Sequence, residues 1–114
     1  MSPGDARYSP MCNEEGGVVD DLIVYMLSPE KYLAVVNAAN TEKDFAWMTS
    51  HNSGNAVITD VSSEYGQIAV QGPSAEKVIA KLVKLEDIPA GSYTFRDGVD
   101  LGGHRVLLSR TGYT

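Results

Sequence analysis

The sequence predicts an α+β layer fold, an antiparallel sheet with two helices on one face in a ferredoxin-like arrangement. Three observations predict it. Apolar, β-branched runs of strand length recur between Gly and Pro turn signals. One later stretch carries a clean helical period, with Ala75, Val78, Ile79, Leu82 and Val83 at i, i+3, i+4, i+7 and i+8. The order strand, strand, helix occurs twice, without any repeated sequence to accompany it.

The elements follow in order. Residues 1–15 are polar and rich in turn formers (Pro3, Gly4, Pro10) and read as a loose segment; residues 16–114 read as one α+β domain. Gly16-Gly17 makes a turn. Val18 to Leu27 is the most apolar run and reads as a strand covered on both faces. Ser28-Pro29-Glu30 turns the chain into a second strand, Tyr32 to Asn37, antiparallel because the connection is short. Asn40 and Thr41 offer caps, and Thr41 with Asp44 resembles a capping box. The helix that follows runs to about His51, with Phe45 and Met48 on one face, and Asn52 to Asn55 end it. Ala56 to Val61 and Tyr65 to Gln71 read as strands. Pro73 suits the first turn of the second helix. Tyr93 to Arg96 reads as a strand, Asp97-Gly98 as a hairpin turn, Gly102-Gly103 as another turn, and His104 to Ser109 as the last strand.

Composition narrows the function classes. The chain has 114 residues, enough for one compact domain. It is 43% hydrophobic and 21% charged, which argues against disorder. Its net charge of −6 is the wrong sign for a protein that tracks nucleic-acid phosphates. The single cysteine, Cys12, leaves no internal disulfide, and two histidines without local metal spacing give a zinc site little support. No apolar run reaches the roughly 18 to 20 residues of a membrane span, and the start lacks the pattern of a signal peptide. A cytoplasmic location is the expectation, with no metal, no nucleic acid and no membrane.

The most informative feature is Asp20-Asp21 inside the apolar strand. A buried carboxylate is expensive unless something pairs with it. Neighbouring strand residues point to opposite faces, so the two acids cannot form a dyad on one substrate. Either one of them is a half-buried carboxylate that holds a polar ligand, or the pair lies at a strand end and bonds to nearby turns. Asn13 and Asn37 could present amides to a ligand, though such residues more often fix turns. The six tyrosines could wall an aromatic ligand or pack as amphipathic rim residues. Trp47 reads as packing, and Lys77, Lys81 and Lys84 as a solvated face. Gly72-Pro73-Ser74 lacks the glycine-rich loop and Lys-Ser or Lys-Thr of a phosphate loop. Cys12 would be a nucleophile only with a histidine beside it in space.

Four stretches resemble the aminomethyltransferase family of the glycine cleavage T-protein: the run Tyr8 to Tyr25 with its Gly-Gly-Val-Val-Asp-Asp-Leu-Ile-Val core; Val35 to Ala38 with Glu42-Lys43-Asp44; Ile68 to Pro73; and Arg110 to Thr114. They occur in the family's order and together cover nearly the whole chain. Folate-binding iron–sulfur assembly factors and the folate domains of sarcosine and dimethylglycine dehydrogenases share the fold; the Asp-Asp-Leu-Ile-Val run with Gln-Gly-Pro favours the T-protein.

The resemblance implies part of a larger multidomain fold. It implies tetrahydrofolate as co-substrate and the lipoylated H-protein as partner, with the methylene of an aminomethyl group moving to folate and ammonia released. It implies that Asp20 is the essential carboxylate and that Tyr8, Asn13, Asn37 and Tyr113 line or border the folate pocket. The chain lacks the family's amino-terminal segment and its downstream residues, so a fragment that does not turn over alone is the expectation. A non-enzymatic folate-binding or regulatory module, or a purely structural domain with an exposed apolar patch, are the competing readings.

Overall fold

A computed structural model describes residues 1–112. Strand β1 (Ala6–Cys12), β2 (Val18–Ser28) and β3 (Lys31–Val35) form one antiparallel sheet in sequence order. Helix α1 (Thr41–Ser50) follows, then a short helix α2 (Ala75–Ile79). Strands β4 (Thr94–Leu101) and β5 (His104–Arg110) form a second, two-stranded antiparallel sheet.

The expected α+β class and antiparallel pairing hold, and β2, β3, α1 and β5 lie within a residue or two of their expected ranges. Central position explains β2: it is the longest strand and carries a ladder on both sides. The turn-rich start, read from sequence as loose, contains β1. This strand borrows order from β2, and it lies on the sheet edge, where Pro10 leaves no ladder bond unmade.

The two sheets meet at the chain's start. The Ala6 amide donates to the Tyr93 carbonyl at 2.8 Å, and the Phe95 amide to the Gly4 carbonyl at 2.9 Å. Ala6, Tyr25 and Phe95 are the buried centre of this junction, with Ile23, Leu33, Val35 and Leu107 packed around them. The Tyr25 and Phe95 rings meet edge to face, 5.2 Å between centroids at 75°, an arrangement the ring quadrupoles favour.

The strands do not form one ferredoxin-like sheet. Consecutive strands pair as hairpins, and residues 56–61 and 65–71 form no strand. Their β-branched residues find no ladder, and Val57 and Ile68 stand 95% and 88% exposed. The second helix is also shorter than its period suggests. After Ile79 the chain tightens, with the Leu82 and Val83 amides both returning to the Ile79 carbonyl. Val83 is buried but Val78 and Leu82 are about half exposed, at 48% and 49%. A short helix without a surface to cover its apolar face gains little.

Asp97-Gly98 is not a hairpin turn but a bulge within β4, where the ladder slips between Arg96 and Val99. Gly98 takes a left-handed φ of 70°, a conformation glycine adopts freely. The reversal comes at Gly102-Gly103, both at positive φ and flanked by the Leu101–His104 pair. That is the pattern of a two-residue primed turn.

Candidate functional site

Three local features bring the acids of β2 to a focus. The β1–β2 ladder carries a bulge between the Met11–Asp20 and Cys12–Val18 pairs, which bends β2 beside the acids. On the other side, β3 stops pairing at Val35, opposite Ile23. The ladder therefore ends two residues short of Asp21, and the Asn37 side chain takes over its edge. The Asn37 Nδ2 donates to the Asp21 carbonyl at 3.0 Å, to Asp21 Oδ1 at 2.8 Å and to Asp20 Oδ1 at 2.7 Å. One amide thus ties together two carboxylates that strand alternation would send apart.

The two acids have different surroundings. Asp20 is buried, at 6% exposure. It accepts from the Asp21 amide at 2.9 Å and the Asn37 amide at 3.3 Å, besides the Asn37 side chain. The adjoining Asp44 carboxyl, with the side chains of Asn37 and Asn40, holds the Asp20 carboxyl well below the usual carboxylate range. Asp21 is only half-buried. Tyr8 lies across the sheet from Ile23, one diagonal step from Asp21, and its phenol donates to Asp21 Oδ2. That phenol, and after it the Asn37 amide, lowers the Asp21 carboxyl from its ordinary value. Tyr8 and Asn37 are exposed.

Asp44 completes the cluster from α1. The expected capping box does not form: the cap residue Asn40 makes no side-chain cap bond, and the Thr41 hydroxyl donates back to the Ala38 carbonyl at 3.1 Å. Asp44 instead turns inward and is 1% exposed. Burial, then the Asp20 carboxylate, pushes its carboxyl up to about 6. Lys43 does not bond to it; its Nζ donates to the Val19 carbonyl at 2.7 Å and pins the helix to β2. The sequence pairs Asp44 with Thr41 as a capping box. The signal that could have found it is its i, i+4 spacing to Met48, which puts an acid on the helix's apolar stripe.

The other expected site residues fare differently. Asn13 serves the β1–β2 turn: its Oδ1 accepts from the Glu15 and Gly17 amides at 3.0 and 2.8 Å. Tyr113 lies outside the described residues. Cys12 is exposed, and the bonds of His51 go to Ser50, to Trp47, on which it stacks, and to Glu14. Among the described residues no group of three or more His, Cys, Asp and Glu could hold a metal ion, and no helix is long and apolar enough to cross a membrane.

The arrangement is a fixed, half-accessible carboxylate with a phenol on one side and an amide on the other, backed by a buried acid pair. Such a group accepts a hydrogen bond from a nitrogen donor and steadies positive charge that develops there. The sequence profile of the GCVT N-terminal domain matches residues 1–114, the whole chain. The chain belongs to the GCVT N-terminal domain family.

Three similar proteins carry the same name. An aminomethyltransferase of Geobacillus kaustophilus is 50% identical over 114 residues, all of this chain. One of Listeria welshimeri is 50% identical over 111 residues, 97% of the chain, and one of Natranaerobius thermophilus is 46% identical over the full 114. In each case the match covers 31% of the relative. This GCVT N-terminal domain sequence thus spans about a third of the length of the curated relatives it matches.

Proposed function

We propose that the chain supplies the reacting-end carboxylate of a tetrahydrofolate-dependent aminomethyltransferase of the glycine cleavage system. The parent enzyme moves the methylene of an aminomethyl group, carried on the lipoyl arm of the H-protein, to tetrahydrofolate and releases ammonia. The observation that carries this reading is the Tyr8–Asp21–Asn37 cluster, an ionised carboxylate held between two donors and open on one side.

Chemistry gives the carboxylate its task. The folate amine is a modest nucleophile that gains positive charge as its nitrogen bonds to the methylene carbon. A fixed carboxylate orients the N–H, offsets that charge and needs no reorganisation at the moment of reaction. The resemblance assigns this role to Asp20. Burial and the full set of donors around Asp20 support a different division: Asp21 faces the folate nitrogen, and Asp20 fixes Asn37 behind it. In this reading Tyr8 and Asn37, which the resemblance assigns to the folate pocket, hold Asp21 from either side, and the Asn13 oxygen is engaged by the β1–β2 turn.

The test is a pair of variants in the full-length chain. Asp21→Asn should lower transfer by about a hundredfold to ten-thousandfold, the range typical of a positioned acid–base group, with an unchanged circular dichroism spectrum. Asp20→Asn should lower it less and weaken the fold more. An Asp21→Asn enzyme with full activity beside an inactive but folded Asp20→Asn enzyme would return the role to Asp20. Folate binding without any transfer from a lipoyl donor would favour a binding or regulatory module.

A further inference from the structure

Asp44 poses a problem that the proposed reaction does not explain. It is the most deeply buried polar side chain among the described residues, at 1% exposure, and neither of its carboxyl oxygens accepts a hydrogen bond from the protein. An ionised carboxylate so placed has lost its water and gained nothing in return. The group that adjoins it is another carboxyl, that of Asp20. Two carboxylates cannot bond to each other; a carboxylic acid and a carboxylate can, through one proton.

We propose that Asp44 is a positioning residue that acts as a buried neutral acid, donating its proton to Asp20 and so fixing the Asn37 amide against Asp21. The contacts form a continuous chain. Asp44 occupies the first turns of α1, and Asp20 lies on β2 beneath it. Asp20 Oδ1 accepts from Asn37 Nδ2 at 2.7 Å, and the same nitrogen donates to Asp21 Oδ1 at 2.8 Å. The charged and titratable groups that bear on Asp44 are Asp20 from β2 and Lys43 from its own helix. Lys43 favours ionisation only weakly here, since its ammonium is spent on the Val19 carbonyl at 2.7 Å. Donors surround Asp20 and none reaches Asp44, which puts the shared proton on Asp44. Loss of that proton sets two negative charges side by side, and the Asn37 amide then loses its fixed geometry.

The inference rests on the reading of Asp21 as the folate-facing carboxylate, and the experiment separates the two. Aspartate carboxyl carbons are labelled in the full-length chain and titrated by NMR, while the Asn37 side-chain amide is followed in the same samples. One aspartate carboxyl should titrate near pH 6, vanish from the spectrum of Asp44→Asn, and move the Asn37 amide resonance as it titrates. Asp44→Asn, which keeps a donor and cannot ionise, should bind tetrahydrofolate like the wild type below about pH 6 and keep that affinity above it, where the wild type weakens. Asp44→Ala leaves Asp20 buried without that donor and should bind about tenfold more weakly. If tetrahydrofolate binds no form of the protein while the carboxyl and amide titrate together, the functional reading falls and the positioning role stands. An Asp44 carboxyl titrating in the ordinary range, or an Asn37 amide unmoved in Asp44→Ala, overturns the proposal.

Discussion

Residues 6–50 and residues 52–92 have similar shares of strand-forming residues but different fates. In the first region every strand has a partner, and the polar side chains of Tyr8, Asp20, Asp21, Asn37 and Asp44 are drawn into one network. In the second, Val57, Tyr65, Ile68 and Val70 remain exposed with no ladder, and order is limited to α2 and short turns. The difference teaches that strand propensity is realised by pairing and burial. The relatives are about three times longer than the 31% matched here. Exposed apolar residues in the second region are what a surface covered by another part of such a protein looks like.

The sharpest way to break the comparison is to remove a core residue from the ordered side. Leu22→Ala empties a core position only 7% exposed and should cost about 2–5 kcal/mol in a denaturant titration. An equal loss from Ile68→Ala would mean that the two regions are equally packed.

Next comes the pH dependence of the acid pair. In the folded chain the Asp44 carboxyl lies at about 6, above the 3.8 of an unfolded aspartate. Its protonated form therefore adds stability that is present in full below about 3.8 and is lost as the pH rises through about 6. Asp44→Asn should thus be more stable than the wild type at pH 7, by up to about 3 kcal/mol, with the gain gone at acid pH. Denaturant midpoints measured across pH read this directly, and a gain that grows toward acid would reverse the sign. The smallest effect belongs to the exposed stretch. Ile68→Ser, at a residue 88% exposed, should change stability by no more than about 0.5 kcal/mol.

Much of the ordered region was legible in the sequence because local pattern and tertiary pairing agree there. The apolar run from Val18, the Ser28-Pro29-Glu30 turn and the helix from Thr41 each carry their own signal, and each forms. Residues 56–71 carry the same kind of strand signal, but a strand needs an edge, and propensity does not supply one. Asp97-Gly98 was read as a turn because the dipeptide favours positive φ; the same freedom makes a bulge when pairing continues on both sides. At the site, the anomaly of two acids in an apolar strand was plain from sequence. Which of them faces outward was not, since that depends on the bulge beside Asp20 and on where β3 stops. The role of Asp44 was hidden by its three-residue spacing from Thr41, which resembles a capping box.

The division of labour between Asp20 and Asp21 is the central claim, and one measurement addresses it most directly. Tetrahydrofolate is added to the full-length chain carrying labelled aspartate carboxyl groups, and each carboxyl carbon is followed by NMR. The account predicts that the Asp21 carboxyl shifts most, with Tyr8 and Asn37 moving in step, while Asp20 and Asp44 respond weakly. A large shift at Asp20 with Asp21 unmoved would contradict it.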